Sequence, residues 1–104
     1  MLLVTGITGH SGGYFLQELI KNKYEGPIRC VVRQTSDTNE LDKSGLSIEK
    51  AVGDLHDQAF LDKSLAGVKT VLHIAGIGET PFVIDAAIKN NVERAILVHT
   101  TGIY

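Results

Sequence analysis

Short apolar runs alternate with amphipathic stretches along the chain, and this rhythm predicts the elements. Five runs read as strands: Met1 to Thr5, Ile28 to Val32, Leu46 to Val52, Thr70 to Ala75 and Ala95 to His99. The second follows Gly26-Pro27, a turn signal, and is rich in β-branched residues. The third is weaker and alternates; the others are continuous, which suits a parallel sheet covered on both faces. Between them, residues 11–22 place Phe15, Leu16, Leu19 and Ile20 on one helical stripe. Asp57 is a candidate N-cap for a helix carrying Phe60, Leu61 and Leu65 and closed by Gly67. Thr80-Pro81 reads as N-cap and first helical residue of a helix through Asn90, with Val83, Ile84, Ala87 and Ile88 toward the sheet. The polar stretch Thr35 to Ser44 holds only a short helix or a loop.

The resulting order, β-α-β-(loop)-β-α-β-α-β, predicts an α/β fold. It is a doubly wound, parallel, five-stranded sheet of Rossmann type in the order 3-2-1-4-5, one domain over residues 1–104. The sixth strand usual in such sheets is missing, and with it a substrate region, so the domain reads as incomplete.

Composition narrows the partners. The 104 residues carry 10 Lys+Arg and 12 Asp+Glu, a net charge of −2, with a pI near 6.0. No basic excess exists to neutralise a nucleic-acid backbone. No apolar run approaches the roughly 20 residues that a membrane helix needs. The start, MLLVTG, lacks a basic n-region and a cleavage site. The single cysteine, Cys30, forms no internal disulfide and reads as a small buried hydrophobe, so a reducing, cytoplasmic location is expected.

Thr5 to Gly13 reads TGITGHSGG between the first strand and the first helix. In that setting Gly6 allows a tight exit from the strand and Gly9 lets backbone approach a diphosphate. Gly12 permits helix and strand to pack closely. The amides that open the helix then face the phosphates, aided by its dipole. Gly6, Thr8, Gly9, His10, Ser11 and Gly12 are therefore candidate cofactor-binding residues. Where the second strand ends, a site for an unphosphorylated ribose usually carries an acid. This chain has Arg33, 21 positions after Gly12, and a guanidinium can grip a 2′-phosphate with two prongs. The expected cofactor is NADP(H) rather than NAD(H). His10, His73 and His99 could converge at the top of the sheet, but no carboxylate or cysteine joins them at ligand spacing, so no metal is expected.

The glycine pattern resembles the TGxxGxxG signature of the short-chain dehydrogenase/reductase superfamily. The likeness is to its extended and atypical branches, which include sugar-nucleotide epimerases and dehydratases and the NmrA-like redox-sensing proteins. The resemblance covers essentially the whole chain. It implies that Asp54 and Leu55, after Gly53, flank the adenine. It also implies that His73-Ile74-Ala75-Gly76 packs beside the ribose and nicotinamide, giving Ile74, Ala75 and Gly76 as further cofactor contacts. Thr100 falls where a hydroxyl bonds the substrate's reacting oxygen. Tyr104 aligns with a Val-Tyr element and is more structural than catalytic unless it pairs with a lysine beyond the sequence. The superfamily's Tyr-x-x-x-Lys pair is absent, and the connection Ile77 to Thr80 is short for an epimerase, which tilts the resemblance to the atypical branch.

The implied function is the NAD(P)(H)-binding portion of an oxidoreductase or epimerase acting on a small-molecule substrate in the complete protein. The 104 residues alone are expected to bind dinucleotide weakly and not to turn over. A non-catalytic NADP(H)-sensing protein shares these motifs, and a downstream Tyr-x-x-x-Lys would separate the two. The bare edge of the fifth strand also invites pairing with another copy of the chain.

Overall fold

A computed structural model describes residues 1–7, 10–35, 38–74 and 80–98, with the backbone alone at 10–12. The elements are β1 (Leu2–Thr5), α1 (His10–Lys21), β2 (Ile28–Val32), α2 (Asn39–Asp42), β3 (Ile48–Val52), α3 (Gln58–Ser64), β4 (Thr70–His73), α4 (Thr80–Lys89) and β5 (Arg94–Leu97). The five strands form one parallel sheet in the order β3-β2-β1-β4-β5, as the sequence predicts.

Continuous apolar strands are explained by two cores, one on each face. Leu3, Val31 and Val71 meet Leu61 and Leu65 of α3 and Val83, Ala86 and Ala87 of α4. Their neighbours Val4, Cys30 and Val32 turn the other way, into a cluster with Leu16 of α1, Leu41 of α2 and Ile74. Burying each such side chain contributes about 1.5–3 kcal/mol. The α1 stripe is as expected, with Leu16 buried and Phe15, Leu19 and Ile20 packed around it.

Several boundaries differ from the sequence reading. β3 begins at Ile48 rather than Leu46, and β5 runs Arg94–Leu97, with His99 outside the described residues. β4 ends at His73, while Ala75 lies outside the described residues. Asp57 does cap α3, its carboxylate accepting from Phe60 N at 3.2 Å, but the helix stops at Ser64, short of Gly67. Thr80 is the first residue of α4 rather than its cap. On α4 the buried stripe is Val83, Ala86 and Ala87, and Ile88 is 71% exposed instead of facing the sheet. Ile88 lies at the side of the stripe that Val83, Ala86 and Ala87 bury. No described helix is long and apolar enough to cross a membrane.

Candidate functional site

Register brings the carboxyl ends of the strands to one rim. Thr5 pairs with Val31 and His73, Val31 with Ala51, and His73 with Leu97. Ligands of such sheets bind at this rim, where the strand order reverses. Here the reversal lies between β1 and β4. The seam there is fully buried: Thr5 Oγ1 lies 2.6 Å from His73 Nδ1, and both residues are 0% exposed. The Ile74 amide donates to the Thr5 carbonyl and to the Thr5 hydroxyl, each at 3.2 Å. His73 therefore works inside the fold, as a tie between two strand ends.

Above the seam, Gly6 has φ +73°, a conformation that a side chain at this position would strain. Ile7 then drops into the α1-side core at 1% exposure. α1 opens at His10-Ser11-Gly12-Gly13, with no acidic residue in its first turn. The first four amides of a helix have no partner within it. A Cβ added at Gly13 would meet no heavy atom within 4 Å, so open space lies beside this turn. A helix opening, open space at Gly13 and a first turn without an acidic residue fit a diphosphate.

The neighbouring rim, between β2 and β3, is exposed and charged. The Gly53 amide donates to the Val32 carbonyl at 2.9 Å, joining the two strand ends. A Cβ at Gly53 would come within 2.5 Å of the Phe60 ring, so the close approach of that ring requires glycine. From there the chain turns tightly. Asp54 Oδ1 accepts from the His56 amide at 2.8 Å and stands 3.0 Å from His56 Nδ1, and the Asp57 amide donates to the Asp54 carbonyl at 3.0 Å. The His56 hydrogen bonds hold the Asp54 carboxyl below its usual range, with the charge of Arg33 adding to them. Asp54 is thus an ionised acceptor at neutral pH, within the field of an exposed guanidinium. The His56 ring also stands edge-on to Phe82 of α4, with centroids 5.4 Å apart.

The fold brings Gly6, the opening of α1 with the backbone of His10, Ser11 and Gly12, Arg33, Asp54 and Ile74 to this one rim. Leu55 is there by chain position, but its side chain is buried with the α3 and α4 core, and Ile74 is buried against the α1 side. Thr8, Gly9, Ala75, Gly76, Thr100 and Tyr104 lie outside the described residues. His56, on the turn after β3, is also a member of the corner. Its Asp-x-His spacing, typical of a side chain capping its own turn, was the available signal. The contact with Phe82 had none. Cys30 is 0% exposed and desolvation pushes its thiol up to about 11, which fits an inert core residue. Among the described residues no group of three His, Cys, Asp or Glu is placed to hold a metal.

Comparison with known proteins agrees with this geometry. Sterol demethylase protein B of Methylococcus capsulatus is 38% identical over 73 residues, covering 70% of this chain and 21% of that protein. Quinone oxidoreductase 2 of Escherichia coli is 32% identical over 75 residues, covering 72% of this chain and 26% of that protein. The crystal structure of Citrobacter sp. triphenylmethane reductase complexed with NADP(H) matches with a TM-score of 0.73 at 28% identity, covering 94% of this chain and 37% of that one. The chain thus spans a fifth to a quarter of the length of these two curated relatives. Residues 6–104 match the family described as NAD(P)H-binding, and the chain belongs to that family.

Proposed function

We propose that this chain holds the dinucleotide of an oxidoreductase, and that the dinucleotide is NADP(H). The observation that carries the choice is the β2–β3 corner, where the end of β2 offers Arg33 instead of an acid and Arg33 acts electrostatically on Asp54. A guanidinium favours a 2′-phosphate that a carboxylate would repel. The likeness to a reductase solved with NADP(H) supports the same choice. Asp54 takes the adenine amino group, and the opening amides of α1 take the diphosphate. Dinucleotide of this kind carries a hydride, so the reaction we propose is transfer between the nicotinamide and a carbonyl, quinone or alcohol substrate. Thr100 is the hydroxyl the sequence offers to the reacting oxygen, and Tyr104 joins it only if it pairs with a lysine beyond the sequence.

Calorimetric titration with NADPH and NADH tests the choice. NADPH should bind about tenfold or more tightly, the worth of one charge-assisted contact. Arg33→Ala should abolish most of that preference. Equal affinities in the unaltered protein would contradict the proposal.

A further inference from the structure

The corner after β3 holds a residue that the dinucleotide reading leaves without a task. His56 approaches the same oxygen of Asp54 twice, through its backbone amide and through Nδ1. Asp54 Oδ2 has no hydrogen bond among the described residues. A carboxylate on an exposed loop ordinarily rotates and presents either oxygen. This one is pinned by two contacts to one oxygen, with its plane fixed and the other oxygen left as the acceptor. The imidazole is braced in turn, its ring edge-on to Phe82 at an interplanar angle of 74°. Phe82 belongs to α4, whose Val83 and Ala86 are buried in the core, so the brace rests on a rigid element.

We propose that His56 is a positioning residue for base selection: by holding Oδ1 it presents Oδ2 of Asp54 to a 6-amino purine and makes the site discriminate against a 6-oxo purine. The proposal rests on the reading of Asp54 as the adenine acceptor. The chemistry is that of complementary donors. The 6-amino group of adenine donates to a carboxylate oxygen, whereas the 6-oxo group of hypoxanthine is itself an acceptor and faces a negative charge. Discrimination is sharpest when the carboxylate cannot swing away, and that is what two donors on one oxygen achieve. For Nδ1 to donate it must carry the proton, so the imidazole adopts that tautomer or is protonated.

The experiment compares NADPH with reduced nicotinamide hypoxanthine dinucleotide phosphate, which differs only at the base. Both are titrated into the unaltered protein and into His56→Ala, His56→Asn and Asp54→Ala variants, with the melting temperature of each measured alongside. His56→Ala should weaken NADPH by roughly three- to tenfold, the range of one positioned hydrogen bond, and leave the hypoxanthine analogue unchanged. His56→Asn keeps an N–H near the position of Nδ1 and should restore most of the preference. An equal loss for both nucleotides in His56→Ala, or no loss, overturns the proposal, and so does a failure of His56→Asn to rescue. Asp54→Ala separates the layers. If it erases base preference while His56→Ala does not, the positioning role alone fails. If Asp54→Ala leaves the preference intact, the adenine reading fails and the role of His56 with it.

Discussion

The two halves of the ligand rim are built on different terms. At the β1–β4 seam, Thr5 and His73 are wholly buried, bonded to each other, and roofed by a glycine turn. At the β2–β3 corner, Arg33, Asp54 and His56 are exposed, and their interactions are ionic or charge-assisted. The seam is fixed by folding, because a buried hydroxyl and imidazole must satisfy one another. The corner is fixed by local turn geometry and is exposed and charged. On the proposed reading, the diphosphate lies beside the buried seam and the exposed corner supplies selectivity for the adenosine end.

Substitutions sharpen this contrast, with the largest effects on the buried side. Leu3→Ala, in the centre of β1 at 0% exposure, should lower stability by about 2–5 kcal/mol in urea unfolding. A loss below 1 kcal/mol would mean the sheet centre is not the close-packed body described. Cys30 gives the next effect, through pH. Its folded pKa is raised from 9.0 to about 11, so its contribution is complete below pH 9 and is lost as pH climbs toward 11. Up to about 2.5 kcal/mol is at stake. Cys30→Ala should flatten the alkaline fall in melting temperature relative to the unaltered chain, and identical slopes would contradict burial of the thiol. Thr5→Val removes the hydroxyl that bonds His73 Nδ1 and shares the Ile74 amide with the Thr5 carbonyl, and should cost about 1–3 kcal/mol by the same urea assay. At the corner, Asp54→Ala should cost less stability than any of these by the same urea assay, as expected of an exposed side chain. A larger loss would erase the distinction between the two halves.

What the sequence made legible follows the same division. The central strands announce themselves because both faces are covered, so β1, β2 and β4 are mostly apolar, with Arg29 as an interruption in β2. The Asp57 cap and the glycine turn are local devices, readable from a few neighbouring residues. Edge strands are harder. The β3 residues Glu49, Lys50 and Val52 are exposed, and Leu46 and Ser47 precede the strand, although the Ser47 carbonyl accepts from the Ile28 amide at 2.9 Å. Ile88 misled because a helical stripe shows which residues share a face but not how wide the buried face is. On α4 it covers Val83, Ala86 and Ala87 and leaves Ile88 out. The Thr5–His73 tie and the His56–Phe82 brace join residues 68 and 26 positions apart, and no local pattern encodes such contacts. The role proposed for Asp54 comes from resemblance, whereas the two contacts to one of its oxygens required coordinates.

One crystal structure of the protein with NADPH bound tests the central claim most directly. The diphosphate should lie against the amides that open α1, with the adenosine reaching the corner between Arg33 and Asp54. A dinucleotide seated on another face, or an adenosine turned away from that corner, would contradict the account.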